Sequence, residues 1–275
     1  PLIDETTLTI IISQSGETAD TLAALREAKN RGSRVVAITN VVGSSIARES
    51  DDVIFTWAGP EIAVASTKAY ITQLIGIYML TMFLGKNLDL IPKAEMENIL
   101  HHLYRLPNQA QEILDNLSDT LNAMAEVFKK WEDTFFVGRG LDYAVALEGS
   151  LKLKEISYVH AEAYAAGELK HGTLALIEEG VPVISLVTQE DLQDKMVSNV
   201  KEVKARKGTI IGITKEGMTK TIEECDEVII IPDTDQLFTP LLSVIPLQLL
   251  AYHMAIARGC DVDKPRNLAK SVTVE

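Results

Sequence analysis

One polar turn, set between an apolar run and a helix start, has residue types and spacing suited to chemistry. Ser13-Gln-Ser-Gly-Glu-Thr18 offers three hydroxyls and an amide, turned by Gly16. It follows Leu8-Thr-Ile-Ile-Ile12, a β-branched run that reads as a buried strand. Residues 19–30 read as a helix. At a helix start the first backbone N–H groups lack internal partners, and the dipole adds partial positive charge there, so an anion is favoured. There is no Walker A lysine and no GxGxxG, which disfavours a nucleoside di- or triphosphate. One small phosphate, held by Ser13, Gln14, Ser15 and Thr18, is the expected ligand. A Ser/Thr-rich helix cap with no ligand is the alternative.

Three more groups invite a chemical reading. Lys152 and Glu155 lie three apart in a helical stretch and share a face. Spacing alone favours an exposed ion pair, whereas a partly buried Glu could serve as an acid/base near neutrality. His171 is of the side-chain type most used for proton transfer, though a lone histidine is commonly structural. Lys270 sits near the end of the chain, where lysines are ordinarily solvated. A nucleophilic amine would need a lowered pKa and a desolvated site. His101, His102, His160 and His253 make no spaced set with carboxylates or with Cys225 and Cys260, so no metal site and no cofactor are expected.

The elements that must position these groups alternate. Arg34–Thr39 and Asp52–Thr56 read as strands, with a short Ser-capped helix over residues 43–50 between them. A long helix is predicted over Glu61–Leu84, and Pro92–Lys130 is predicted helical with a break near Pro107. Thr134–Gly138 is a strand, residues 143–158 a helix, and Val181–Val187 a strand. A helix over Leu192–Arg206, strands Thr209–Thr214 and Glu227–Ile231, and a helix over Pro240–Arg258 follow. Alternation of this kind implies right-handed βαβ units and parallel sheets. Leu25–Thr39 and Val200–Thr214 repeat one helix–turn–strand pattern, so the chain reads as two doubly wound α/β units. The second copy carries Thr188-Gln-Glu-Asp191 where the first carries the polar turn, and those carboxylates would repel a phosphate. One copy is expected to bind and the other to be scaffold.

Composition bounds the rest. The 275 residues are 47% hydrophobic and 24% charged, with net charge −13, a balance that argues against nucleic acid as a partner. Two cysteines without metal spacing suit reduced thiols in a cytoplasmic protein. Tyr70–Leu84 and Leu241–Ala257 are the most apolar stretches and read as buried helices, so no membrane span is expected. The chain opens on Pro1 and enters a strand almost at once, and a fragment of a longer protein is expected.

Ile12–Asp20 resembles the phosphosugar-binding motif of the sugar isomerase (SIS) fold. Glu148–Ser157, Ala161–Gly172 and Asp261–Glu275 narrow the resemblance to the isomerase module of the glutamine–fructose-6-phosphate aminotransferases, the glucosamine-6-phosphate synthases. It covers essentially the whole chain. It implies two tandem three-layer α/β/α SIS domains, over 1–125 and 126–258, with tail 259–275 completing the active site. By the resemblance, the first domain lacks its leading strand and helix, where the family has another phosphate-contacting Ser. The family's glutaminase domain, which supplies ammonia, is also absent from these residues.

The resemblance further implies conversion of fructose 6-phosphate, with glucosamine 6-phosphate as the product of the whole enzyme. Glu155 matches the acid/base that moves a proton between C1 and C2, and Lys152 a residue supporting the open-chain hydroxyls. His171 matches the residue that opens the sugar ring, reaching its site from the neighbouring subunit, which implies a homodimer with shared active sites. Lys270 matches the Schiff-base lysine, and Val64, Ser66 and Ala269 match sugar contacts. Two alternatives stay open: a relative that removes the amine from a fructosamine 6-phosphate, and a non-catalytic phosphosugar sensor.

Overall fold

The computed structural model describes residues 2–270 and divides into two compact units, 1–99 with 266–275, and 100–265. The sequence reading placed the domain division at 125/126; the compact units part earlier, at residue 99, and the tail from Arg266 groups with the first of them. Ser271–Glu275, part of the ending that carries the resemblance, lie outside the described residues.

The first unit is built on β1 (Leu8–Ser13), α1 (Ala19–Asn30), β2 (Arg34–Thr39), α2 (Ser45–Glu49), β3 (Asp52–Phe55) and α3 (Lys68–Asn87). Its strands form a parallel sheet in the order β1-β2-β3, with Ser13 paired to Thr39. Ile11, Leu25, Ala28, Val35, Ala37 and Ile46 make the core beneath α1 and α2. β1 is an edge strand, and its alternate residues Leu8, Ile10 and Ile12 stay exposed. The expectation that α3 is buried is corrected: only Ala69, Gly76 and Gly85 are fully covered, and Met79 and Phe83 face out, because three strands are too narrow to cover it.

The predicted helix over Glu61–Leu84 is also corrected. The chain enters α3 only at Lys68, and residues 61–67 are a loop. The Glu61 carboxylate accepts from the Ala69 backbone N–H at 3.1 Å, and Lys68 donates to the Pro60 carbonyl. A carboxylate on the first turn satisfies an orphan donor and the helix dipole together, so Glu61 caps the helix instead of joining it.

α4 (Lys93–Phe128) is one helix that runs through Pro107 where a break was predicted. Leu106, Gln109, Ile113, Leu121 and Ala125 are buried along one face, and Gln109 donates to the Asp233 carbonyl. That packing outweighs the single hydrogen bond that Pro107 cannot donate.

The second unit continues with β4 (Asp133–Gly138), α5 (Leu141–Ser157), β5 (His160–Ala165), β6 (Pro182–Val187), α6 (Gln193–Lys204), β7 (Thr209–Lys215), α7 (Thr219–Glu224), β8 (Glu227–Ile231) and α8 (Thr239–Ala257). Its parallel sheet runs β5-β4-β6-β7-β8, and β6-β7-β8 repeats the order and register of β1-β2-β3. The sequence reading held no β5 and no α7. His160-Ala-Glu-Ala-Tyr-Ala165 lacks β-branched residues and becomes a strand through pairing with β4 alone. α8 is long and apolar enough to cross a membrane, yet Leu241, Leu242, Val244, Leu247, Leu250 and Met254 are all buried in this unit. It packs on α5, as a core helix does.

Candidate active site

The first unit carries the polar turn directly after β1. Ser13 is buried, and its Oγ accepts from the Gly16 N–H at 3.1 Å and lies 3.3 Å from Thr18 Oγ1. Ser15 Oγ accepts from the Glu17 N–H. Thr18 takes the N-cap position of α1, but its side chain makes no capping bond. Hydroxyls at a helix start that are not spent on the helix remain available to a ligand. The turn is braced from behind: Glu17 accepts from Ser45 N–H at 2.7 Å, Ile46 N–H bonds the Gly16 carbonyl, and Asn40 N–H bonds that of Gln14. The Ser45 N–H also pulls the Glu17 carboxyl below its ordinary value.

Gly16 has φ +67°, and a Cβ there would stand 2.1 Å from Ser44 Oγ and 3.0 Å from Thr39 Oγ1. Gly16→Ala is therefore expected to cost at least about 1–2 kcal/mol from the left-handed backbone alone. Thermal unfolding of the variant checks this, and an unchanged midpoint would show that the turn can relax.

The tail brings Lys270 to the loop before α3. Its Nζ donates to the Ala63 carbonyl at 2.7 Å and to Ser66 Oγ at 2.8 Å. Because residues 61–67 are not helical, the Ala63 carbonyl is free of a helical partner and can accept this bond. Val64 lies in the same loop, and Ala269 precedes the lysine as an exposed residue.

The second unit carries the acid/base candidates on α5. Glu148, Lys152 and Glu155 stand at i, i+4 and i+7 of one helix face. Lys152 Nζ lies 2.6 Å from Glu155 Oε2 and 3.7 Å from Glu148 Oε1. Their side chains are 7%, 20% and 15% exposed in the order Lys152, Glu155, Glu148, so the exposed ion pair suggested by spacing is not what forms. Glu155 Oε2 meets Lys152 as a charge contact; it is buried and accepts no hydrogen bond of good geometry from the described residues. Burial raises the Glu148 carboxyl above its ordinary value, with Lys152 pulling it down and Glu155 pushing it up. The sequence reading did not single out Glu148, although the Glu-x-x-x-Lys-x-x-Glu spacing was there to find.

His171 ends a 3-10 turn, Ala166–His171, after β5, and is exposed. Among the described residues it forms no hydrogen bond or ion pair with Glu155 or Lys152. Ser13, Gln14, Ser15, Thr18, Val64, Ser66, Ala269 and Lys270 thus fall in the first unit, and Lys152, Glu155 and His171 in the second.

The turn after β6 pairs with carboxylates of the chain itself. Asp142, buried at the start of α5, accepts from the Thr188 N–H at 2.7 Å and from the Thr188 hydroxyl. Its carboxyl is raised by burial against the lowering pull of these bonds. Lys215, buried at the end of β7, is neutralised by Glu190 at 2.6 Å and Asp233 at 3.2 Å.

Known proteins resemble this chain along its whole length. Residues 1–83 and 127–258 match the SIS domain family. Over its whole length the chain is 59% identical to glutamine–fructose-6-phosphate aminotransferase (isomerizing) of Caldanaerobacter subterraneus, and it spans 45% of that relative's length. The C-terminal domain of glucosamine-fructose-6-phosphate aminotransferase from Francisella tularensis superposes with a TM-score of 0.91 at 41% identity, covering 96% of this chain and 75% of that one. Glucosamine-6-phosphate deaminase from Thermotoga maritima superposes with a TM-score of 0.78 at 26% identity, over 99% and 77%. The chain belongs to the SIS-domain family, as a counterpart of the C-terminal half of the glutamine–fructose-6-phosphate aminotransferases.

Proposed function

We propose that this chain isomerises fructose 6-phosphate to an aldose 6-phosphate, as the sugar-handling half of an enzyme that makes glucosamine 6-phosphate. The observation that carries the reading is the buried column Glu148–Lys152–Glu155, a charged set that a purely sensing domain would not need. Burying two carboxylates around one cation is costly, and that cost is usually tolerated where the groups do chemistry.

In this reading Ser13, Gln14, Ser15 and Thr18 hold the phosphate with the N–H groups of α1, and Val64, Ser66 and Ala269 line the sugar. The phosphate does not react; its binding energy positions C1 and C2. His171, contributed by a second copy in a homodimer, opens the ring. Lys270, once it has released a proton, adds to the C2 carbonyl of the open ketose and water leaves, giving a Schiff base. Ammonia then displaces the lysine to leave an imine at C2, or water displaces it and restores the ketone, so the lysine is freed before the proton moves. Glu155 takes the proton from C1 and returns it at C2, with Lys152 steadying the open-chain hydroxyls. A glutaminase domain elsewhere in the full-length protein supplies ammonia, and the enzyme works in the cytoplasm.

Incubating the chain with fructose 6-phosphate is expected to yield glucose 6-phosphate without ammonia. Ser13→Ala with Thr18→Ala should raise KM about 10²-fold, the scale of two hydrogen bonds to a charged group, with little change in kcat. No product from the unsubstituted chain, or an unchanged KM in the double variant, overturns the reading. A second reading, removal of the amine from an amino-sugar phosphate, is favoured by the likeness to the Thermotoga deaminase. Ammonia release from glucosamine 6-phosphate that outpaces isomerisation would select it.

A further inference from the structure

The turn that carries His171 is held more firmly than an exposed turn requires. Ala166 and Leu169 are fully buried, packed into the core with Val137, Met196, Val200 and Val203. Arg139, at the end of β4, lies across the backbone of Gly167: a Cβ there would stand 3.0 Å from its Nη2 and 3.4 Å from its Cζ and Nη1. The Arg139 Nε and Nη2 both donate to Asn199 Oδ1, at 3.1 and 2.9 Å. Asn199 is 3% exposed on α6. Its Nδ2 donates to Glu202 Oε2 at 3.4 Å, and Glu202 Oε1 receives Lys170 Nζ at 3.5 Å, one residue before His171.

A closed chain of contacts therefore runs from β4 through α6 to the residue beside His171. It is unlike a chance surface pairing in two ways. Its central amide is buried, where an unpaired polar group would be costly. The guanidinium also rests on a residue that only glycine can supply without a displacement. The His171 side chain forms no hydrogen bond or ion pair among the described residues, so its place is set by the backbone beneath it.

We propose that Arg139, Asn199 and Glu202 are positioning residues for His171, fixing the 3-10 turn so that the imidazole is presented outward at one location. The proposal rests on the reading that His171 opens the sugar ring. A proton carrier on an exposed turn delivers its rate only if the turn does not wander, since a misplacement of about 1 Å can cost about 10²-fold. Arg suits the clamp better than Lys, because a planar fork can grip one amide oxygen with two donors while its face covers Gly167.

The test compares two substrates. Fructose 6-phosphate needs ring opening; 5-deoxyfructose 6-phosphate lacks the hydroxyl that closes the furanose and is already open. Arg139→Ala is expected to lower kcat on fructose 6-phosphate by about 10- to 100-fold with KM little changed. On the open-chain analogue it should match the unsubstituted chain. Asn199→Ala should follow the same pattern, and it serves where Arg139→Ala does not fold. Equal losses on both substrates, or no loss on either, overturn the proposal. Amide hydrogen exchange reads the clamp without activity: residues 167–171 should exchange at least about tenfold faster in Arg139→Ala while β4 and α6 keep their protection. If the unsubstituted chain fails to isomerise, the ring-opening role falls by itself. Unchanged exchange in the variant then disposes of the clamp separately.

Discussion

Glu155→Gln is expected to reduce the isomerisation of fructose 6-phosphate by about 10³-fold, within the range that a positioned acid/base contributes. The substitution keeps the shape of the side chain and removes only its capacity to take up and return a proton. Phosphosugar affinity should hold, because the hydroxyl turn at Ser13–Thr18 belongs to the first unit and Glu155 to the second. Stability should also hold better than burial suggests. Stripping a buried cation of its counter-charge costs about 3–5 kcal/mol, but Lys152 keeps Glu148 at 3.7 Å when Glu155 is neutralised. The measurements are turnover, binding of a phosphosugar and the thermal midpoint of one variant. Full turnover in Glu155→Gln removes the acid/base assignment. A collapse of stability together with activity would show that the carboxylate serves the fold instead of the reaction.

What could be read from the sequence divides along a physical line. Leu8–Ile12, Arg34–Thr39 and Thr209–Thr214 were legible as strands because β-branched residues dominate each run, although the first is a half-exposed edge strand and not the buried one its composition suggests. The limits of α1 were legible because the polar turn and Gly32 bracket it. The misread places were decided by partners far away in the chain. Nothing near Glu61 says that its carboxylate will cap Ala69. Nothing near Pro107 says that its helix will continue past it, with Leu106 and Ile113 buried on either side. His160–Ala165 is a strand only because β4 lies beside it.

The site divides in the same way. The hydroxyl turn is local and visible from Ser13 to Thr18. The face shared by Lys152 and Glu155 is visible from spacing, but its burial depends on what packs over α5, which is not a local property. The Glu-x-x-x-Lys-x-x-Glu spacing from Glu148 is equally local, but the burial that draws its two carboxylates around one cation is not. The support beneath His171 could not be read at all, since Arg139 lies 60 residues before Asn199 and meets it and its helix neighbour Glu202 only in the fold.

Lys270→Arg is expected to abolish covalent capture of the substrate and to lower turnover by at least about 10³-fold, the scale on which loss of a covalent nucleophile is felt. Borohydride treatment in the presence of fructose 6-phosphate should add one reduced phosphosugar to the unsubstituted chain, the sugar's mass less water plus two hydrogens, located by peptide mapping at Lys270. Arg is the informative replacement. It keeps a cation with donors to offer the Ala63 carbonyl and Ser66 Oγ, so the loop over residues 61–67 retains its tether. It cannot give up a proton to become a neutral amine, so it cannot form the adduct. The two hydrogen bonds now holding Nζ also place the amine beside Val64 and Ser66, the residues assigned to the sugar. Ser66→Ala should therefore slow adduct formation while leaving the site of labelling at Lys270. Labelling of another lysine in the unsubstituted chain, or undiminished turnover in Lys270→Arg, would detach the tail from the chemistry and leave its contact with the loop as a packing feature.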